Sequence, residues 1–262
     1  MPRRRPLSAE ARPAEVWPQG IGRILIDTTD STNAEAARRA ASCTDPTWIL
    51  AGFQTGGRGR RARPWVSPRG NFFGTLLMHP RGGPSQAALR SFIASLALHE
   101  ALAGLTGTPE AFRLKWPNDV LLNGGKVSGI LLESLGTHGG VDHLAVGIGV
   151  NLIAAPTPDQ VEVHAVNPVS VLGETGIRIT PEALLTALAA AFERLETTFA
   201  TEGFAPIRAR WLAQAARLGE RIVARTGSTS QEGIFETIDA TGALVLRTDA
   251  GIVTLPAADI HF

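Results

Sequence analysis

Cysteine, lysine and long apolar runs are scarce in this chain of 262 residues. The single cysteine, Cys43, can form neither an intramolecular disulfide nor a cysteine-rich zinc site, so we expect a reducing, cytoplasmic compartment. No apolar run approaches the roughly 18 to 20 residues of a membrane-spanning helix, and we expect no membrane association. The six histidines show no spacing that is typical of metal ligands.

The charges of the chain are nearly balanced. Twenty-five basic residues stand against 24 acidic ones, and 44% of the residues are hydrophobic. This composition is typical of a globular protein with a sizeable core, and it excludes a collagen-like or wholly disordered chain. Only Lys115 and Lys126 among the basic residues are lysines. An ammonium is a compact, mobile charge and a guanidinium is flat and forked, so arginine cannot replace lysine at every site. The two lysines therefore point to a site between positions 115 and 126.

Three regions follow from the pattern of apolar residues and turns. Residues 1–20 are rich in proline and arginine, which predicts a disordered tail. Residues 21–217 predict a mixed-sheet α/β (α+β) domain, because close-set strands joined by short turns favour antiparallel pairing over repeated βαβ units. Residues 218–262 contain short β segments and predict a small appended barrel.

Local signals set the ends of several predicted elements. Thr32 and Glu35 have the spacing of a capping box at the start of a helix. Asn123-Gly124-Gly125 predicts a hairpin turn. The predicted strands are 21–28, 47–55, 71–78, 111–116, 119–123, 129–134, 141–152, 221–226, 233–239, 243–247 and 252–255. The predicted helices are 34–41, 85–105, 181–201 and 205–216.

The densest motif runs from Gln54 to Trp65 and holds four arginines among glycines. Exposed N–H groups and guanidinium forks in such a loop can close over a carboxylate or a phosphate. A solvated basic loop is the alternative. The spacing of Gly57, Gly59 and Ala62 imitates a dinucleotide-binding fingerprint, but Pro64 blocks the helix that should follow, so we exclude a Rossmann site.

Three further motifs carry polar or small residues. Lys115-Trp116-Pro117-Asn118-Asp119 presents a carboxylate that could hold Mg²⁺, although by itself the motif favours an Asx turn. Gly124-Gly125-Lys126-Val127-Ser128-Gly129 lacks the first glycine and the Ser/Thr of a P-loop, which excludes that site. Gly147-Ile148-Gly149-Val150-Asn151 either lets a planar ligand approach a strand or only packs closely in the sheet.

The order of these motifs resembles that of the biotin protein ligases, from about residue 22 to the C-terminus. The blocks that carry the resemblance are Asp30-Ser31-Thr32-Asn33, Gly57-Arg58-Gly59-Arg60-Arg61-Ala62-Arg63-Pro64-Trp65, Lys115-Trp116-Pro117-Asn118-Asp119, Gly125-Lys126-Val127-Ser128-Gly129-Ile130-Leu131-Leu132-Glu133 and Gly147-Ile148-Gly149-Val150-Asn151. The resemblance implies a catalytic domain of the class II aminoacyl-tRNA synthetase and biotin ligase type at 21–217, followed by an SH3-like β-barrel at 218–262.

The resemblance also implies a two-step reaction. Biotin and Mg·ATP would first give biotinyl-5′-adenylate and pyrophosphate, and a lysine of a biotin carboxyl carrier domain would then attack the adenylate. A lipoate or octanoate ligase or transferase is the alternative enzyme. A non-catalytic protein that binds biotin or nucleic acid is the alternative from another class, although the near-zero net charge disfavours nucleic acid.

Site roles are carried over from the resemblance residue by residue. The implied catalytic residues are Lys126, Arg60 and Asp119, the last also as the metal ligand. The implied biotin-binding residues are Ser31, Thr32, Asn33, Gln54, Gly57, Arg58, Arg60, Lys126 and Gly129. The implied ATP- and adenylate-binding residues are Arg58, Arg60, Arg61, Trp65, Lys115, Asn118, Lys126 and Asn151. Gly147 and Gly149 would line the pocket beside them.

Two features depart from the family pattern. Ala62 stands where a third loop glycine is usual, and with Pro64 it predicts a stiffer loop. Only about twenty residues precede Ile21, too few for the winged helix of the relatives that repress transcription. We therefore expect no sequence-specific DNA binding, and a monomer or weak homodimer. A gel shift should show no salt-resistant, sequence-dependent complex; such a complex would contradict this prediction.

Overall fold

The computed structural model describes residues 16–136, 141–157, 160–161, 166–226, 229–256 and 258–261. Most of the predicted tail, 1–15, lies outside these residues. Trp17, within the predicted tail, donates its indole N–H to the Ile21 carbonyl at 2.8 Å, and the Arg23 guanidinium lies 5.1 Å from its ring.

A seven-stranded sheet forms the large domain, with the strand order β1-β2-β3-β7-β6-β5-β4. Its strands are β1 (Gly22–Thr29), β2 (Thr47–Gln54), β3 (Phe72–Met78), β4 (Phe112–Lys115), β5 (Asp119–Leu122), β6 (Gly125–Leu135) and β7 (His143–Val150). Only the pair β1 and β2 is parallel, and every other neighbouring pair is antiparallel. The predicted mixed sheet is therefore confirmed.

Helices cover both faces of this sheet. They are α1 (Thr32–Arg39), α2 (Pro84–Ala88), α3 (Arg90–Thr106), α4 (Val171–Thr175), α5 (Pro181–Glu202) and α6 (Phe204–Ala213). Helix α1 packs on one face against Ile49 and Leu77, while α3 and α5 pack on the other, where Trp48 meets Phe192 edge-on with the ring centroids 6.0 Å apart. The alternation of Trp48 and Ile49 between the two faces follows from the two-residue period of a strand.

Helices α2 and α3 together, Pro84–Thr106, are long and apolar enough to cross a membrane by length and composition alone. Of the most apolar 18-residue window, 67% is buried inside the molecule. Core helices of globular proteins pass the same test. In this fold the segment packs against both the sheet and α5, where it forms much of the core.

One predicted helix start is wrong. Helix α1 begins at Thr32 with Ser31 at the N-cap, and no side chain caps it. The Thr32 hydroxyl donates to Gln54 Oε1 instead, and Glu35 pairs with Arg38 and Arg39, each at 2.6 Å. A tertiary hydrogen bond and two ion pairs thus replace the local capping box.

The hairpin turn between β5 and β6 is confirmed. Asn123 and Gly124 both have positive φ angles, 49° and 82°, as a two-residue turn of this kind requires. Strand β6 begins at Gly125, four residues before the predicted start. A side chain at Gly125 would lie 2.3 Å from Val169, so glycine there permits the close packing of the following chain.

The C-terminal domain is a five-stranded sheet in the order β11-β10-β9-β8-β12. Its strands are β8 (Arg221–Thr226), β9 (Thr229–Ile238), β10 (Leu244–Thr248), β11 (Gly251–Leu255) and β12 (Asp259–His261). Within the described residues no pairing joins β11 to β12, so the predicted barrel is open there, although the arrangement is consistent with an SH3-like fold. Strand β12 was not predicted, because three residues give no periodic signal.

The two domains meet at Gly242. The indole N–H of the buried Trp116 donates to the Gly242 carbonyl at 3.0 Å. A side chain at Gly242 would come within 2.6 Å of Phe92 on α3, and its φ of 83° also favours glycine. This close approach fixes the C-terminal sheet beside the strand ends that carry the motifs.

We expect stability to fall in mild acid because of His99 on α3. Burial, and then the charge of Arg113, lowers the pKa of this imidazole below its ordinary value. The unfolded chain therefore takes up a proton at about pH 6.5 that the folded chain resists, so stability falls as the pH drops below this value, by at most about 1.4 kcal/mol per pH unit. Urea unfolding at pH 8 and pH 5.5 should show a smaller difference for His99→Leu than for the wild type; equal differences would contradict the assignment.

Candidate functional site

A cavity of about 590 Å³ lies at the ends of β5, β6 and β7, beneath the arginine loop formed by residues 58–65. It collects residues from every motif that the sequence singled out: Ser31, Thr32, Asn33, Gln54, Arg58, Arg60, Arg61, Trp65, Lys115, Asn118, Asp119, Lys126, Gly129, Gly147, Gly149 and Asn151. Gly57 is not in the wall. A side chain there would lie within 2.9 Å of Ser67, Gln54 and the Trp65 carbonyl, so glycine at position 57 allows these residues to pack closely behind the cavity wall.

A hydrogen-bonded network of uncharged side chains forms one end of the cavity. The backbone N–H and the hydroxyl of Thr32 contact Gln54 Oε1 at 2.8 and 3.2 Å. Thr75 lies behind them, with its hydroxyl 2.7 Å from Asn33 Oδ1 and 2.8 Å from the Thr32 hydroxyl. Ser31 makes no capping bond. This end therefore presents neutral donors and acceptors, fixed by their neighbours, to a polar uncharged group.

Glu133 links this neutral end to the arginine loop. Asn33 donates its amide N–H to one Glu133 oxygen at 2.7 Å, and Arg58 pairs with the other at 3.1 Å. Gly147 has no side chain to obstruct Asn33, whose Oδ1 lies 2.3 Å from where a Cβ would stand. Neither Thr75 nor Glu133 was assigned a role from the sequence: Glu133 lies in a quoted motif, and nothing in the sequence singled out Thr75.

Both lysines of the chain contact one buried carboxylate. Asp119 Oδ1 lies 2.6 Å from Lys126 Nζ, and Oδ2 lies 3.7 Å from Lys115 Nζ. Burial alone would raise the pKa of Asp119, but Lys126 and then Lys115 outweigh it and hold that pKa below its usual value. Burial lowers the pKa of Lys115, and Asp119 opposes this effect. The trio carries a net positive charge, which suits an anionic ligand.

The described residues do not form an all-protein magnesium cage. Mg²⁺ takes near-octahedral oxygen coordination, but among the described residues no three His, Cys, Asp or Glu side chains converge. Asp119 is already bonded to Lys126. Its contacts fit a counter-ion of two lysines, and its role as a metal ligand stays a prediction.

Trp65 covers the strand ends next to this trio. Its ring lies against Gly149 and Gly129, where added side chains would approach it to 2.6 and 3.2 Å, and Lys126 Nζ lies 6.0 Å from the ring centroid. Trp65 Nε1 and Asn151 Oδ1 are buried and have no hydrogen-bond partner among the described residues. Because an unmet buried polar group costs about 1 to 3 kcal/mol, this donor and this acceptor favour a polar ligand in the cavity.

The arginine loop holds an unusual turn. Arg61 and Ala62 both have positive φ angles, 55° and 58°. The left-handed conformation costs roughly 1 to 2 kcal/mol for a residue other than glycine. Ala62, where the family pattern has glycine, therefore adopts a backbone conformation that is unfavourable for alanine. Burial lowers the pKa of Arg60, which stays charged and points its Nη1 to Asn118 Oδ1 at 3.4 Å.

The C-terminal domain completes the wall with residues that the sequence reading did not identify. Asp259 and Ile260 on β12 and Arg225 on β8 line the cavity. The Pro-rich segment after Asn151 was not placed from the sequence, and it supplies another side of the cavity with Pro156, Gln160, Val161, Val166 and Pro168. Residues 158–159 and 162–165 lie outside the described residues.

The chain is similar to known proteins over most of its length. The biotin/lipoate A/B protein ligase family matches residues 24–151, and the biotin protein ligase C-terminal domain matches 218–262. A biotin--[acetyl-CoA-carboxylase] ligase from Paracoccus denitrificans is 55% identical over 91% of this chain and 99% of its own length. The bifunctional ligase/repressor BirA of Bacillus subtilis is 30% identical over 90% of this chain and 72% of its own.

A solved structure shows the same fold. The biotin protein ligase from Aquifex aeolicus in complex with biotin and ATP superposes with a TM-score of 0.77 at 26% identity. The match covers 91% of this chain and 97% of that protein.

Proposed function

The chain belongs to the biotin/lipoate A/B protein ligase family, as a biotin protein ligase, and we propose that it activates biotin with ATP and transfers it to a lysine of a carboxyl carrier protein. The observation that carries the proposal is the composition of one cavity, which is neutral and hydrogen-bonding at one end and cationic at the other. Biotin has the matching composition, an uncharged ureido ring joined by an alkyl chain to a carboxylate.

The first step requires two anions, the biotin carboxylate and the α-phosphate of ATP, to meet. Lys126 and Arg60 both line the cationic part of the cavity, where Lys126 can offset their repulsion and stabilise charge that develops as the carboxylate attacks phosphorus. The bond that forms joins the carboxylate oxygen to phosphorus, and pyrophosphate leaves. Asp119 orients Lys126 through its 2.6 Å contact.

The two ends of the cavity bind different parts of the substrates. Ser31, Thr32 and Gln54 face the ureido ring, while Asn33 anchors this end through Glu133. Trp65 and Asn151 offer a donor and an acceptor to the nucleotide, beside Lys115 and Asn118. Mg²⁺ brought with ATP would supply charge neutralisation on the phosphates, and Asp119 is its predicted protein ligand.

The second step needs the arginine loop to admit the carrier. Arg58 and Arg61 are 40% and 49% exposed at the mouth, so the basic rim is open to a protein partner. The lysine amine of the carrier attacks the acyl carbon, forms the amide bond and releases AMP. Water must be excluded until then, because the mixed anhydride hydrolyses readily. The cytoplasmic location, the oligomeric state and the absence of DNA binding stay predictions.

The decisive experiment supplies α-labelled ATP and Mg²⁺ to the purified protein with biotin, with lipoate, or with no added acid. Labelled acyl-adenylate with biotin alone is the expected result. Adenylate with lipoate instead would replace the proposal with the lipoate ligase, which the family also contains. No adenylate from folded protein would indicate a binding protein that has lost the chemistry.

A further inference from the structure

One carboxylate of the C-terminal domain contacts three arginines of the arginine loop. Asp259 on β12 accepts hydrogen bonds from Arg61 and, at 3.3 Å, from Arg63, while Arg60 Nη1 lies 3.8 Å away. The Asp259 side chain is 19% exposed, so these ion pairs are partly shielded from water. The contact spans nearly the whole chain, since 198 residues separate Arg61 from Asp259.

Of the two hydrogen-bonded arginines, Arg61 lies in the strained part of the loop and Arg63 directly follows it. Arg61 and Ala62 hold positive φ angles, which the backbone alone disfavours. The bonds from Asp259 hold the turn on both sides of Ala62. Arg60 directly precedes the two residues with positive φ. Of the three arginines it lies farthest from Asp259, and its Nη1 also contacts Asn118.

The described contacts of the Asp259 carboxylate are with arginines of the loop and not with a side chain of its own domain. Arg225 faces it in register on the neighbouring strand, yet the Arg225 side chain makes no hydrogen bond or ion pair with any described residue. One carboxylate cannot neutralise three guanidinium groups, so the loop keeps a surplus of positive charge over the cavity.

We propose that Asp259 is a positioning residue, which acts through Arg61 and Arg63 to fix the turn and thereby holds Arg60 over the reaction centre. The proposal rests on the proposed function and adds to it a role for the C-terminal domain. By this arrangement the C-terminal sheet sets how well the loop retains the adenylate, and Asp259 touches no reacting atom.

The test compares Asp259→Asn, which keeps the shape and removes the charge, with Asp259→Glu, which restores the charge. Asp249→Asn is the matched control, because it removes the same charge from an exposed turn of the same domain. Two readouts concern the reaction: release of labelled adenylate from the enzyme, and the separate values of KM for ATP and kcat for adenylate formation. A third is independent of activity: the rate at which trypsin cleaves after Arg60 and Arg61.

For Asp259→Asn we expect loop cleavage and adenylate release to rise about five- to tenfold, the scale of losing two partly exposed ion pairs, with KM for ATP raised and kcat within about twofold. Asp259→Glu should recover part of each effect, and Asp249→Asn should match the wild type. In an Arg61→Ala/Arg63→Ala background, Asp259→Asn should add nothing further.

Three results would overturn the proposal: loop cleavage and adenylate release that stay at the wild-type level, an equal effect from Asp249→Asn, or full additivity with the double arginine variant. Failure of the wild type to form any adenylate would overturn the proposed function instead. The trypsin comparison would still decide whether Asp259 holds the loop.

Discussion

Lys126→Ala is expected to slow adenylate formation about a thousandfold, which corresponds to about 4 kcal/mol of transition-state stabilisation. The variant loses the mobile ammonium at the point where the two substrate anions meet. It also leaves Asp119 with only Lys115 at 3.7 Å, so a buried carboxylate then opposes the incoming anions. Single-turnover measurement of labelled adenylate gives the rate, and a wild-type far-UV circular dichroism spectrum shows that the fold is intact.

Two further variants separate these contributions. Lys126→Ala combined with Asp119→Asn removes the uncompensated charge, so it should be faster than Lys126→Ala alone. Lys126→Arg keeps the charge but replaces the compact ammonium with a planar guanidinium, and it should recover only part of the rate. A wild-type rate in Lys126→Ala would remove this lysine from the mechanism.

Arg60→Ala should form the adenylate but release it about ten- to a hundredfold faster, the range expected for losing one charged hydrogen bond. Arg60 is 29% exposed and lines the cavity beside Asn118, where it can contact the carboxylate-derived and phosphate oxygens of the intermediate. Retention of labelled adenylate on a filter measures the escape rate.

The matched control for this prediction is Arg178→Ala, because Arg178 is exposed and does not line the cavity. It should retain the adenylate like the wild type. If Arg60→Ala retains it equally well, the arginine loop does not act as a lid through this residue.

The parts of the site that lie close together in sequence could be predicted. Lys115, Asp119 and Lys126 occupy one hairpin and its flanking strand, so their convergence follows from a short-range turn at Asn123 and Gly124. Most strands were placed correctly within a few residues, because alternation and turn residues are local signals.

The remaining parts depend on contacts that no local pattern encodes. Asp259 reaches the loop only after two domains have docked at Gly242. Thr75 reads as an ordinary strand residue until the fold places it behind Thr32 and Asn33. The capping box failed for the same reason, because Gln54 competes for Thr32 from 22 positions away.

The scarcity of lysine has a chemical consequence for an enzyme that makes an activated acyl ester. Any neutral amine close to the cavity mouth is a target for misdirected acylation. Twenty-three of the chain's 25 basic residues are arginines, whose guanidinium groups stay protonated and are poor nucleophiles. Its two lysine amines both lie against Asp119 in the wall of the cavity, where ion pairing holds them in place. We therefore expect the protein to be a poor substrate for its own product, so that escaped adenylate acylates the lysines of other proteins.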